Sequence, residues 1–296
     1  MTALLALISY VITAIALALI ALKGWQMYRI FKVGQPDPTR TSLKGKRLAI
    51  MTREILGHTK MLKFTGSGIS HWFVMIGFVA LFGTLVTAYG QVLNPEFVLP
   101  VIGKWDPYLY FTLFIAWSTG ISIVTLIGIR QVTRLVRKGR NSRFFGSYSR
   151  RAYFVEAVIL VIVFCVIGLH KLELSLASGK DVGQLIQVFA TVKIVVSMTW
   201  FIVIALKLNM GVAWHRFLAP FNIFFKRNVS AQPTLGPLPE MLSHGKPINF
   251  EDPKEDDVFG IGKSADISWK GLLDMASCTE CGRCQSQCPA WHTEKP

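Results

Sequence analysis

Charge is scarce in this chain, and acidic charge scarcer still. Only 17% of the 296 residues are charged, with 17 Asp and Glu against 32 Lys and Arg. Hydrophobic residues reach 52%, and the mean hydropathy is +0.44. So little charge excludes an ordinary soluble domain. Internal repeats and low-complexity tracts are absent. The five cysteines form no spread framework of the kind that staples a small secreted domain. The first apolar stretch has an uncharged start, an apolar core of about twenty residues and no small-residue cleavage site, so it reads as a retained helix and not a signal peptide.

Five stretches are long enough to cross a bilayer, for which about 20 apolar residues suffice. They lie at roughly 3–22, 69–90, 108–129, 152–170 and 184–206. Each is too long and too free of Pro to be a strand of a soluble sheet. Basic residues orient them. Residues 23–63 carry ten Lys or Arg against two acids, and residues 130–151 carry eight against none. Cytoplasmic loops hold such an excess. The loops at 91–107 and 171–183 are nearly neutral. The expected topology has the N-terminus outside and everything after the fifth span in the cytoplasm, in a bacterial plasma membrane. The net charge of +15 is then mostly this loop signal. Its expected partner is anionic membrane lipid, not nucleic acid.

Residues 227–266 change in character, with five Pro, several Gly and the acidic cluster EDPKEDD. They read as a linker with little helix. Beyond it, Ser268 is placed to cap a short helix whose Trp269, Leu272 and Leu273 make an apolar face. That helix leads into Cys278, Cys281, Cys284 and Cys288, spaced C-x2-C-x2-C-x3-C with Pro289 directly after. This is the bacterial ferredoxin run for a [4Fe–4S] cluster, in which the fourth Cys serves the other cluster of a two-cluster domain. Zinc sites instead split their ligands into two separated pairs. No second run occurs in the chain. Cys165, in VIVFCVIGL, reads as a small buried hydrophobe.

Four histidines sit on or near the spans: His58, His71, His170 and His215. Such residues are functional candidates by default. Two imidazoles on different helices can clamp a haem b, and His71 with His215 is the favoured pair. His215 qualifies if the fifth helix continues past Leu206, a further ~13 Å at ~1.5 Å per residue. His58 is the alternative. On an unbroken helix it would stand about 20 Å from His71 by the same rise. No catalytic residue is assigned. Glu156, Lys193 and His170 are candidates for quinone binding or proton relay, with pairing or snorkelling as the structural alternative for the two charged side chains.

Two segments, HTKMLKFTGSGISHWFVMIGFVALF and KIVVSMTWFIVIALKLNMGVAWHRFLAPFNIFFKR, resemble the cytochrome b-like region of membrane iron–sulfur oxidoreductases. These are related to the heterodisulfide reductase membrane subunits and, in fold, to the gamma subunit of respiratory nitrate reductase. The tail SWKGLLDMASCTECGRCQSQCPAW is similar to the ferredoxin entry of the actinobacterial electron-transfer flavoprotein:menaquinone oxidoreductases. The resemblance implies an all-α membrane protein. It would have a five-helix transmembrane haem b domain over 1–226, a cytoplasmic linker over 227–266, and the first half of a ferredoxin-like 4Fe-4S domain over 267–296. In that family a second ferredoxin run and CCG-bearing domains follow. Neither is in this sequence, so the chain is expected to be the N-terminal part of a longer protein. The implied activity is electron transfer between a cytoplasmic donor, with electron-transfer flavoprotein as the candidate, and menaquinone, through 4Fe-4S clusters and haem b. The alternatives are a non-catalytic anchor and electron conduit, or a membrane redox sensor.

Overall fold

Long apolar runs without Pro have one inexpensive solution in lipid, the helix, which satisfies its own backbone. The computed structural model describes residues 1–136, 139–142, 144–229, 240–243 and 246–293. Its helices are α1 (Thr2–Val33), α2 (Lys44–Leu56), α3 (Thr65–Ala80), α4 (Phe82–Leu93), α5 (Asp106–Val136), α6 (Ser149–Ala177), α7 (Gly183–Leu206), α8 (Gly211–Phe224), α9 (Trp269–Ala276) and α10 (Pro289–His292). Among the described residues the only sheet is a two-stranded antiparallel ladder, Leu242–Ser243 with Lys246–Pro247. Part of the expected linker, with His244, lies outside the described residues.

α1, α5, α6 and α7 are each long and apolar enough to cross a membrane, and α3 with α4 adds a fifth crossing if that bent pair is one span. The chain is a membrane protein. The two helices of the pair meet at Leu81 with a bend of 41°. Close by, Gly83 leaves room for the Tyr108 hydroxyl, which would lie 2.7 Å from a Cβ at that position. Large apolar side chains point outward, among them Val79, Phe82, Tyr110, Phe114, Ile121 and Phe164, as lipid-facing helices require.

Several boundaries differ from the sequence expectation, among them α5, which runs to Val136, and the second span, which starts at Thr65 and breaks at Leu81. α1 runs on to Val33, because Gly24 alone does not stop it and the first Pro is Pro36. At ~1.5 Å per residue it is about 48 Å long, more than the ~30 Å hydrocarbon core. α6 reaches Ala177, since no breaker precedes Gly179 with its φ of +83°. The expected continuation of the fifth span does not occur. α7 stops at Leu206, Lys207 donates back to Val203 and Ile204, Met210 donates to Lys207, and a separate α8 starts at Gly211. Pro220 sits inside α8 and does not end it.

The chain forms two compact units, Met1–Lys23 with His58–Ala213 and Thr279–Pro296, and Gly24–Gly57 with Trp214–Cys278. In the first, α3 packs on α5, α5 on α6, α6 on α7 and α7 on α4. Ala16 of α1, Ala88 and Val92 of α4, Leu169 of α6 and Ile186, Ala190 and Ile194 of α7 share one core. Gly77 of α3 lets α5 approach closely, because a Cβ there would fall 2.2 Å from Thr119 Oγ1. The second unit is organised by Arg47, 2% exposed, whose guanidinium donates to the carbonyls of Thr39, Ser42, Phe224 and Lys226. Phe225 packs edge-on against Trp269, 4.9 Å between centroids. The Gln35 N–H donates to the Ile267 carbonyl and the Trp269 N–H donates to the Gln35 carbonyl, a parallel bridge within the same unit.

Candidate redox site

The cysteine run lies on a loop between α9 and α10. Ser268 caps α9 as expected, its hydroxyl accepting from the Gly271 N–H at 3.1 Å, and Leu273 is the buried member of the apolar face. α9 delivers the chain to Cys278, whose N–H donates to the Met275 carbonyl. Two left-handed residues, Glu280 (φ +54°) and Gly282 (φ +69°), flank Cys281. A side chain seldom tolerates that backbone, so Glu280 must be held in place, and three contacts hold it. Its carboxylate accepts from the Tyr148 N–H at 2.8 Å and faces Arg151 at 3.5 Å, while its carbonyl accepts from the Ser147 hydroxyl at 3.0 Å. Arg283 lies over the Phe64 ring at 5.6 Å, and Trp291 packs against Phe145 at 5.6 Å. The loop from Thr279 onward is thereby tied to the end of the bundle where α3 and α6 begin.

None of the five cysteines forms a disulfide. Cys278, Cys281 and Cys284 are exposed and Cys288 is half-buried, while Cys165 is buried in α6, as its apolar surroundings imply. Among the described residues no three His, Cys, Asp or Glu side chains converge as ligands of one metal ion. The donor set itself, four thiols on a sharply turned loop, fits an iron–sulfur cluster, which takes thiolate ligands.

The same bundle end carries His58 and His71. An unbroken helix would have kept them about 20 Å apart at ~1.5 Å per residue. In the structure α2 ends at Leu56, His58 takes a φ of +46°, and residues 58–64 fold back on the start of α3. Gly68 permits this return, since a Cβ there would lie 2.4 Å from the Met61 carbonyl oxygen. His58 Nε2 then lies 2.8 Å from His71 Nδ1, with the rings stacked at 5.1 Å. A metal-ligating histidine is commonly oriented by a partner on its other ring nitrogen, and His58 stands in that place. His215 lies in α8, within the second unit, beside Arg216, whose guanidinium burial pushes down to about 10, still a cation at neutral pH.

The three quinone or proton candidates do not form one group. Glu156 sits near the start of α6 and pairs with Arg130 of α5 at 3.0 Å, over which Phe144 and Tyr153 present their rings. This is the structural pairing that the sequence allowed for. Lys193 and His170 instead line a cavity of about 60 Å³ towards the opposite end, roofed by the 94–105 loop. Lys193, 1% exposed, donates to Thr84 Oγ1 at 2.7 Å. Sequence reasoning missed the other polar walls, Gln91, Tyr108 and Glu173. Gln91 Nε2 donates to Glu173 Oε1 at 2.5 Å. The available signal was the i, i+3 spacing of His170 and Glu173, which puts both on one helical face once α6 is extended to Ala177.

Comparison with known proteins gives three relatives, all at low identity or short coverage. The chain is 25% identical to the "Probable iron-sulfur-binding oxidoreductase FadF" of Bacillus subtilis, over 98% of this chain and 41% of that protein. It is 22% identical to a "Probable membrane-anchored ferredoxin" of Chromohalobacter salexigens, over 95% of this chain and 38% of that protein. Over 82 residues, 28% of this chain and 10% of the relative, it is 37% identical to the "EtfAB:quinone oxidoreductase" of Syntrophomonas wolfei. The chain thus spans about two-fifths of the length of the relatives that it matches along nearly all its own. No family model matches it, and no solved structure does.

Proposed function

We propose that this chain is the membrane part of an iron–sulfur oxidoreductase that moves electrons between a cytoplasmic donor and menaquinone. Cys278, Cys281, Cys284 and Cys288 are the thiolate ligands of the 4Fe-4S clusters. His71 and His215 would hold a haem b, with His58 steadying the His71 ring or standing in for it. These groups, when bound, supply one-electron transfer at protein-tuned potentials. The protein's own part is to hold the cysteine loop against the bundle end that carries His71, which it does through Glu280, Arg283 and Trp291. That attachment is the observation that carries the reading. The relatives support it, since their names speak of iron–sulfur binding and of an EtfAB:quinone oxidoreductase. Electron-transfer flavoprotein is accordingly the donor class to try first.

The basic loops support an orientation with the cysteine loop in the cytoplasm and the N-terminus outside. A second reading, an anchor and conduit without quinone chemistry of its own, has one observation in its favour, the likeness to a membrane-anchored ferredoxin. Membranes containing the full-length protein decide between them. Donor-dependent reduction of a menaquinone analogue, lost in His71→Ala and in Cys281→Ser, is expected of the oxidoreductase. Reduced clusters with no quinol formed would establish the conduit.

A further inference from the structure

The cavity at the far end of the bundle is unusual in its contents. Lys193, at 1% exposure, is an ammonium with three N–H donors but makes one hydrogen bond among the described residues, to Thr84. The Tyr108 hydroxyl is buried without a partner among the described residues. Glu173, on the same cavity wall, is only half-buried and engages Gln91 through one oxygen. Burying charged and polar groups costs free energy unless they are paired or hydrated. The groups that titrate around Lys193 are Cys165, His170 and Glu173 on α6 and Tyr108 on α5, whereas α4 offers only Thr84 and Gln91. The cavity of about 60 Å³ is too small for a quinone ring. It has room for a few waters, each needing roughly 10–15 Å³.

We propose that this cavity is a proton-exchange site, with Lys193 as its buried proton holder and Glu173 as its mouth. The step balances simply. A proton leaves Lys193 Nζ for water in the cavity, and that water's proton is taken by the Glu173 carboxylate, leaving a neutral amine and a neutral acid. Glu173 then releases the proton at the face covered by the 94–105 loop. The reverse sequence loads the site. Nothing in this exchange depends on the clusters or haem. Its use in quinol chemistry, as a route for protons separate from the cysteine-loop end, does rest on the electron-transfer reading above.

Infrared titration of the full chain in lipid vesicles tests the exchange directly. A protonated-carboxyl band is expected that titrates with pH, shifts in D2O and is lost in Glu173→Gln. Lys193→Met should move its midpoint by about one pH unit or more, because the neighbouring charge is gone. If Lys193→Met does not fold, as judged by gel filtration, Thr84→Val should move the midpoint as well, since it removes the acceptor of Lys193 among the described residues. A band that survives Glu173→Gln, stays put in D2O or ignores both other substitutions would overturn the proposal. These outcomes are independent of whether quinone reduction is found. In a protein that does reduce quinone, Glu173→Gln should slow quinol formation while leaving reduction of the clusters by dithionite unchanged.

Discussion

His58 Nε2 stands 2.8 Å from His71 Nδ1, although thirteen residues separate the two in sequence. The contact exists because His58 adopts a left-handed backbone and Gly68 admits the returning chain. On the haem reading proposed above, it would give the two histidines different tasks. A ring held through Nδ1 is oriented, and loss of such a supporting group typically lowers metal affinity about 10–100-fold without removing the ligand. His71→Ala and His215→Ala should therefore abolish the reduced b-type bands of membranes. His58→Ala should keep the bands but lower haem occupancy at limiting haem. Optical difference spectra against haem titration check this, and complete loss in His58→Ala with wild-type bands in His71→Ala would reverse the roles.

The charge pattern makes a separate claim. Reporter fusions after Ser142 and after Arg227 should read as cytoplasmic, and a fusion after Lys104 as external. The weight rests on residues 130–151, which contain eight basic and no acidic side chains. An external reading at Ser142 would overturn the orientation.

Arg47 is expected to be the least replaceable residue of the second unit. Its removal leaves four carbonyls, those of Thr39, Ser42, Phe224 and Lys226, without their donor. An unsatisfied buried group costs about 1–3 kcal/mol, so Arg47→Ala should destabilise the unit by about 3 kcal/mol or more. Arg47→Lys should rescue little, because an ammonium lacks the planar fork that reaches several acceptors at once. Thermal unfolding followed through Trp269 fluorescence measures both. Equal stability of Arg47→Lys and wild type would show that charge alone is what the site needs.

How far these features were legible in the sequence depends on how local they are. The spans and the cysteine spacing are periodic patterns within single segments, and Ser268 capping α9 is a contact three residues long. The end of α7 is less local. No Pro stands between Leu206 and Pro220, yet the helix breaks at Leu206–Met210, where Lys207 and Met210 close turns before Gly211. The His58–His71 contact and the Glu280 attachment each need a non-glycine residue at positive φ, which composition does not announce. The cavity needed four helices and a loop to be assembled, so Lys193 and His170 were visible singly while Tyr108, Gln91 and Glu173 were not.

Glu280 offers a direct measure of that attachment. Its ion pair with Arg151 is partly exposed, 34% and 24% on the two side chains, and such pairs contribute about 0.2–1 kcal/mol. Glu280→Ala should therefore loosen the loop modestly, raising the rate of limited proteolysis between residues 279 and 293 by about 1.4- to 5-fold at that free-energy cost. Arg151→Ala alone should do less, because the Tyr148 N–H remains bonded to the carboxylate. An unchanged cleavage rate in Glu280→Ala would mean that Arg283 and Trp291 suffice to hold the loop.

The cluster prediction follows from the number of thiolates. In the two-cluster pattern Cys278, Cys281 and Cys284 bind one cubane and Cys288 reaches the other. Residues 1–296 contain one such run, which offers the first cubane three thiolates and leaves Cys288 without companions. Ligand supply and site stability are coupled. The 296-residue chain should therefore reconstitute to less than one stable [4Fe–4S] per molecule, and a longer chain with a second run should hold two. In the longer chain Cys288→Ser should leave one cubane with its four ligands and disturb the other. Iron counting with electron paramagnetic resonance reads each case. A single stable cubane in the 296-residue chain, lost in Cys288→Ser, would show instead that all four cysteines serve one cluster.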